Sequence, residues 1–147
     1  MKKTIIGILI FLVIAIIGIV IIGRTFYPDN IAQTSADGGE KGLKTRFYKT
    51  DLNTAVKAVS DVVPTLSTYG SGWKLVGTNL GKGDAASTIK AEVPVVVFTD
   101  DLEVTVKSTE DRVQVDVRSQ SRIGKSDFGE NARHVRKILE ALDEKLK

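Results

Sequence analysis

The chain has 147 residues, of which 21 are basic, 18 are acidic, one is a histidine and none is a cysteine. The absence of cysteine excludes disulfides, thiolate metal sites and cysteine nucleophiles, and a lone histidine argues against a histidine-based metal centre. The net charge of +3 does not support nucleic-acid binding, because without Lys2 and Lys3 the basic and acidic counts fall to 19 and 18.

An uncharged apolar run, TIIGILIFLVIAIIGIVIIG, covers residues 4–23. Twenty residues at about 1.5 Å each span the roughly 30 Å hydrocarbon core of a bilayer, which predicts a transmembrane helix. A cleaved signal peptide is the alternative, but its apolar core is usually only about 7–15 residues long, with a small-x-small site directly after it. Residues 24–28 contain no such site. Lys2 and Lys3 predict that residues 1–3 are a cytoplasmic flank and that the chain after the helix lies outside the cytoplasm, although Arg24 opposes them.

Residues 24–43 are polar and glycine-rich, and we predict that they form a tether between the bilayer and a domain of residues 44–147. The apolar patterns of that domain predict the order β-α-β-β-β-β-α. The predicted elements are a strand at 44–48, a helix that begins after Thr50 or Asp51 and ends near Pro64, strands at 73–76, 87–93, 102–107 and 113–118, an edge continuation or bulge at 95–98, and a last helix with apolar residues from Phe128 to Leu146. This pattern is typical of an α+β fold, with an antiparallel sheet that carries both helices on one face.

The segment Gly81-Lys82-Gly83-Asp84-Ala85-Ala86 matches the glycine spacing of a dinucleotide-binding loop. Such a loop requires a helix directly after it, so that the helix N-terminus meets the pyrophosphate. The residues that follow alternate as a strand does. We therefore interpret the segment as a hairpin loop and predict no cofactor.

Two candidates for acid–base chemistry also have simpler structural interpretations. Asp100 and Asp101 are neighbours on a strand, so only one of them faces the core side, and salt bridges with nearby arginines are the better interpretation. His134 lies off the apolar stripe of the last helix, and we interpret it as a surface residue. Ser126 lies two helical turns from it, roughly 12 Å by helix rise, so the two do not form a dyad. We predict no catalytic or metal-binding residue and no enzymatic activity.

Polar residues crowd into residues 117–131, where the last strand leads to the last helix. In one interpretation they are structural: Asp127 is the helix N-cap, Glu130 completes a capping box, and hydroxyl and amide groups satisfy the loop backbone. The residues assigned to this structural junction are Ser119, Ser121, Gly124, Asp127 and Asn131. In the other interpretation the helix N-terminus and nearby cations form an anion or partner site. The cations assigned to such contacts are Arg118, Arg122, Lys125 and Arg133.

The stretch VDVRSQSRIGKSDFGENAR, residues 115–133, resembles the C-terminal signature of the family known as domain of unknown function 1499. The pattern is arginine-serine-x-serine-arginine, a glycine two positions further on, and then aspartate-x-glycine-x-asparagine-x-x-arginine. The pair Asp100-Asp101 before an alternating strand is also similar to that family. The resemblance covers roughly residues 43–142 and implies a secreted or membrane-anchored protein of bacteria or photosynthetic lineages. It implies no reaction, because the family has no established activity.

The sequence thus favours a single-pass, membrane-anchored interaction domain, an accessory or assembly subunit of a membrane complex with integral membrane partners. The alternative is a tethered domain that binds a small apolar or anionic ligand between sheet and helices. A hydrolase is the third and least supported hypothesis. The expected location is an inner or thylakoid membrane, with the C-terminal domain in the periplasm, the lumen or the cell exterior.

Overall fold

The computed structural model describes residues 2–147. The first element is a single long helix, α1 (Lys2–Phe26), and it is long and apolar enough to cross a membrane, with a mean hydropathy of 3.6 in its most apolar window. Twenty-five residues extend about 37 Å, so the helix is longer than the hydrocarbon core requires. Within residues 2–26, Gly23 alone is buried against the rest of the protein. The predicted helix is confirmed, and it continues three residues beyond its predicted end.

The other elements form an α+β domain, as the sequence predicts. Helix α2 (Leu52–Val62) begins after Asp51, whose carboxylate accepts a hydrogen bond of 2.9 Å from the Thr54 amide, and a 3₁₀ turn (Val63–Thr65) ends it at the predicted proline. The strands are β1 (Ile31–Gln33), β2 (Arg46–Tyr48), β3 (Ser67–Thr68), β4 (Ser71–Gly72), β5 (Lys74–Asn79), β6 (Ser87–Val95), β7 (Phe98–Ser108) and β8 (Val113–Ser121), and the last helix is α3 (Glu130–Leu146).

The main sheet is antiparallel, with the strand order β1-β8-β7-β6-β5. Strand β2 pairs with the same edge of β8 as β1 does, but opposite residues 113–115 rather than 118–120. Side chains along β6, β7 and β8 alternate between buried and partly exposed positions. The buried side chains, among them Ile89, Val104 and Val115, contact the apolar sides of α2 and α3. Both helices therefore cover one face of the sheet, as predicted.

The predicted tether is wrong for most of its length. Ile31–Gln33 forms strand β1, and Ala32 and Leu43 belong to the core with only 2% of their surface exposed. The Thr34 amide also donates a 2.9 Å hydrogen bond to the Val117 carbonyl. The domain therefore begins directly after α1, not at residue 44. The glycines of this segment make turns, and its few apolar residues are too scattered to produce a recognisable period.

The segment 95–98, predicted to be an edge continuation or a bulge, is a hairpin instead. Strand β6 runs through Pro94 to Val95, and a two-residue turn, Val96-Val97, leads into β7 at Phe98. Pro94 is tolerated because β5 pairs with β6 only as far as Glu92, so the missing N–H of the proline removes no bond to β5.

Candidate functional site at the strand–helix junction

A buried network of hydrogen bonds joins β8, α3 and the segment after α1. The Ser119 hydroxyl donates to Asn131 Oδ1 over 2.6 Å, and both side chains are fully buried. Asn131 Nδ2 donates to the Asn30 carbonyl and to Ser121 Oγ, each over 2.9 Å. The structure thus brings together three of the junction residues that the sequence singled out. It adds Asn30, which sequence reasoning placed in the tether.

Asp127 satisfies amides at the start of α3, although it is not the N-cap residue. Its carboxylate accepts hydrogen bonds from the amides of Gly129, at 2.8 Å, and Asn131, at 2.9 Å. The helix begins at Glu130, so the N-cap position belongs to Gly129, and Phe128 and Gly129 both have positive φ. The predicted capping box is wrong, because the Glu130 carboxylate binds the Tyr69 hydroxyl and Arg133 instead. Gly124, with φ of +91°, makes the predicted sharp turn.

His134 is buried, so its assignment to the surface is wrong. Only 2% of it is exposed, and its ring packs edge-on against Trp73 with 5.7 Å between centroids. Nδ1 lies 3.4 Å from Ser119 Oγ and 3.7 Å from Asp100 Oδ2. Nε2 has no hydrogen-bond partner within residues 2–147 and lies 3.6 Å from Glu130 Oε2. Burial lowers the pKa of His134 to about 4, against the opposing charge of Glu130, so the ring is neutral at pH 7.

The two neighbouring aspartates have separate environments, as the strand geometry predicts. Asp100 is buried, with 3% of its surface exposed. Burial raises its pKa, and the negative charges of Asp127 and Glu130 act in the same direction, while a hydrogen bond with Ser121 opposes them. Asp101 points to the opposite face of the sheet and pairs with an arginine, as expected.

The four cations assigned to an anion or partner site do not converge. The Arg122 guanidinium binds Asp101 over 2.6 Å and Glu92 over 2.7 Å, and this pairing raises the pKa of its guanidinium further. Arg133 binds Glu130 and the Phe128 carbonyl. Arg118 binds Gln120 and, with Lys125, lines a separate open groove. The four cations therefore do not form one anion site, and the structural interpretation accounts for Arg122 and Arg133. That these cations contact a partner stays a prediction.

A cleft of about 430 Å³ opens beside the junction. Its walls come from the β6–β7 hairpin, the β3–β4 turn and the loop before α3, and its base is polar. The apolar wall residues are Tyr69, Val95, Val96, Phe98, Ile123 and Phe128, and the base carries Asp100, Ser121, Asp127 and Glu130. Sequence reasoning missed this cleft. The available signal was the apolar run Val95–Phe98 at a turn, where polar residues are the rule.

The last turn of α1 packs directly against the loop that forms one wall of this cleft. The Ser126 hydroxyl donates a 3.0 Å hydrogen bond to the Gly23 carbonyl. A Cβ atom at Gly23 would lie 2.6 Å from Phe128 Cζ, so the glycine permits this close approach. The rings of Tyr27 and Phe128 lie 6.0 Å apart. Ser126 and Phe128 also line the cleft, which therefore lies beside the end of α1.

Fold and site together define a class of protein: a small α+β domain built directly onto an apolar N-terminal helix, with a polar junction and a cleft beside the helix end. A family model described as "Protein of unknown function (DUF1499)" matches residues 27–142. The chain belongs to this family. The match confirms the resemblance carried by residues 115–133, and it begins at Tyr27, directly after α1, so it includes β1 and Asn30. No curated protein matches the chain.

Proposed function

We propose that this protein is a single-pass, membrane-anchored interaction domain that works at the bilayer surface outside the cytoplasm as an accessory or assembly subunit of a membrane complex. The observation that carries the proposal is the contact between Gly23 and the loop at Ser126 and Phe128. It fixes the height of the domain above the bilayer. A subunit that contacts integral membrane partners benefits from such placement, because its binding surface is already positioned when the partner arrives.

The same contact supports retention of α1. Cleavage after α1 would remove the partner of the Ser126 hydroxyl and uncover Phe128, which is already 41% exposed. A signal peptide has no need of such contacts with the mature domain. Lys2 and Lys3 at the other end of the helix support an orientation with that end in the cytoplasm.

A tethered ligand-binding domain is the second candidate, and the cleft favours it. Apolar walls with a few polar groups at the base are typical of small-molecule sites. The carboxyl groups of Asp100, Asp127 and Glu130 at the base disfavour an anion. Of the two ligand classes considered from the sequence, the geometry thus supports the apolar one.

Topology and partners can both be tested in native membranes. We expect a reporter fused after Lys147 to be active outside the cytoplasm, and the untagged chain to stay in the membrane after alkaline extraction with the full mass of 16.0 kDa. Mild detergent extraction should recover a membrane protein in constant ratio to it. As a control, replacing Lys2 and Lys3 by glutamate should lower the fraction of chains whose reporter lies outside the cytoplasm.

The outcomes separate the two functions. A small molecule bound in constant ratio, with no protein partner, would favour the ligand-binding candidate. A mature chain that begins beyond Gly23 would contradict the membrane anchor that both candidate functions assume.

A further inference from the structure

The β6–β7 hairpin ends in an unusual turn. Its two central residues are Val96 and Val97, and Val96 has a φ of +55°. Two-residue hairpin turns favour asparagine, aspartate and glycine, because these residues tolerate positive φ, whereas a β-branched residue there is strained. The two valines are also 76% and 80% exposed. In water this turn is unfavourable both for its backbone and for its side chains.

The hairpin tip belongs to a larger apolar surface at the end of α1. Phe98 is 52% exposed and Ile123 is 68% exposed, and both line the cleft together with Val96 and Phe128. Phe128 in turn packs against Gly23 and Tyr27. The exposed side chains thus share a cleft with Phe128, which itself contacts the end of α1.

We infer that the tip formed by Val96, Val97 and Phe98, together with Ile123, inserts into the boundary between headgroups and acyl chains of the bilayer that α1 crosses. This inference rests on the proposed function, because it needs α1 as a retained anchor. The occupant is lipid because α1 itself brings the surface to the bilayer, and no further molecule is needed to cover it. Amphipathic surfaces with such apolar side chains dock at this depth of a membrane.

Lipid contact also explains the choice of residues in the turn. Valine at a strained position serves no purpose in water, but its apolar side chain is favoured in the acyl region. Phe26 and Tyr27 at the end of α1 suit the same layer, since aromatic rings are enriched at the interface. The domain would then hold the membrane at two points, α1 and the hairpin, and the cleft between them would open toward lipid.

The chain has no cysteine, so a single spin label reports on one position of the full-length protein. We would label Val97→Cys in vesicles of phosphatidylethanolamine and phosphatidylglycerol, and measure collisions with oxygen, which enters lipid, and with a water-soluble nickel complex. The matched control is Glu110→Cys in the β7–β8 turn at the other end of the sheet. We expect the oxygen-to-nickel collision ratio at Val97 to exceed that at Glu110 at least several-fold.

A third label, Ile14→Cys in α1, separates this inference from the proposed function. Lipid-type accessibility at Ile14 with water-type accessibility at Val97 would overturn the inference and leave the anchor intact. Water-type accessibility at both positions would overturn the anchor and the inference together. A Val97 label shielded from both oxygen and nickel would also overturn the inference, because it would show contact with protein instead of lipid.

Discussion

Replacing Asn131 by alanine should lower the free energy of unfolding by about 3–4 kcal/mol. The side chain is fully buried and bonds Ser119, Ser121 and the Asn30 carbonyl. Its loss leaves these groups without their partner, and each buried unsatisfied group costs about 1–3 kcal/mol. The expected loss of unfolding free energy is smaller than three such penalties added together. Ser119 still has His134 Nδ1 as a neighbour at 3.4 Å, and Ser121 and the Asn30 carbonyl reach water.

Trp73 is the one tryptophan and is buried beside the network, so its fluorescence during denaturant unfolding in mild detergent measures this loss. Asn53→Ala in α2 is the matched control, because Asn53 is exposed and should change stability by no more than about 0.5 kcal/mol. Asn131→Asp keeps an acceptor for the Ser119 hydroxyl but has no amide to donate to Ser121 and the Asn30 carbonyl, so this variant should be destabilised as well. If Asn131→Ala were as stable as the control, the network would not hold the junction together.

The second large effect is a dependence of stability on His134 protonation. The unfolded histidine takes up a proton near pH 6.5, whereas burial lowers the pKa of His134 in the folded protein to about 4. Between these values the unfolded state binds the proton and the folded state does not, so stability falls as the pH falls from about 6.5 to 4. Above pH 6.5 the contribution is constant. The full loss is about 3 kcal/mol, from about 1.4 kcal/mol per pKa unit.

Other groups at the junction also have shifted pKa values, so the measurement compares variants. Asp100 has a raised pKa, and its protonation in the folded state favours folding as the pH falls, which opposes the histidine. Burial raises the pKa of Glu130, but hydrogen bonds from Arg133 and Tyr69 outweigh this effect and leave the pKa lowered. The ionised Glu130 therefore stabilises the folded protein, and this contribution is lost at low pH. The charged groups around His134 are Asp100 from β7 and, from α3 and its preceding loop, Asp127, Glu130, Arg133 and Lys137.

The test is the difference in unfolding free energy between the wild type and His134→Gln, measured at intervals from pH 7.5 to 4.5. Glutamine is polar but does not titrate, so the wild type should lose stability relative to the variant as the pH falls. The absolute stability of Asp100→Asn should fall more steeply over this pH range than that of the wild type, because the opposing group is removed. Parallel pH curves for the wild type and His134→Gln would contradict this account, because they would show that folding does not change the pKa of His134.

The fold could be predicted from the sequence where the apolar period was clear. Strands β6, β7 and β8 alternate over nine residues or more, and the two covering helices have apolar residues at helical spacing. Strand β1 could not be found in this way, because three residues are too few to show an alternation of apolar and polar side chains. It forms because the edge of β8 offers unpaired backbone groups that Ile31–Gln33 satisfy.

The candidate site was predictable only in part. Ser119, Ser121 and Asn131 could be grouped because many polar side chains at one strand–helix junction need partners. His134 was misplaced because the predicted apolar stripe left out Ile138, which lies four residues further along the buried side of α3. That stripe consisted of Phe128, Ala132, Val135, Leu139, Leu142 and Leu146. The left-handed backbone of Phe128, which moves the helix start away from Asp127, leaves no trace in the residue type.

The contact between α1 and the domain lay beyond sequence reasoning. Ser126 and Gly23 are separated by 103 positions, and nothing in either local pattern indicates the other. The polar composition of residues 24–43 pointed instead to a free tether. The apolar hairpin tip at Val96 and Val97 was visible in the sequence, but it acquires meaning only through its position beside the end of α1.

The central claim is that the domain is seated rigidly on the end of α1. Pulsed electron paramagnetic resonance measures it directly, with spin labels at Val20→Cys in α1 and Glu140→Cys on the exposed side of α3, in the full chain in vesicles. The reference pair is Lys107→Cys with Glu140→Cys, both within the domain. We predict one distance between Val20 and Glu140, with a distribution as narrow as that of the reference pair. A distribution clearly broader than the reference would contradict the claim and restore the free tether.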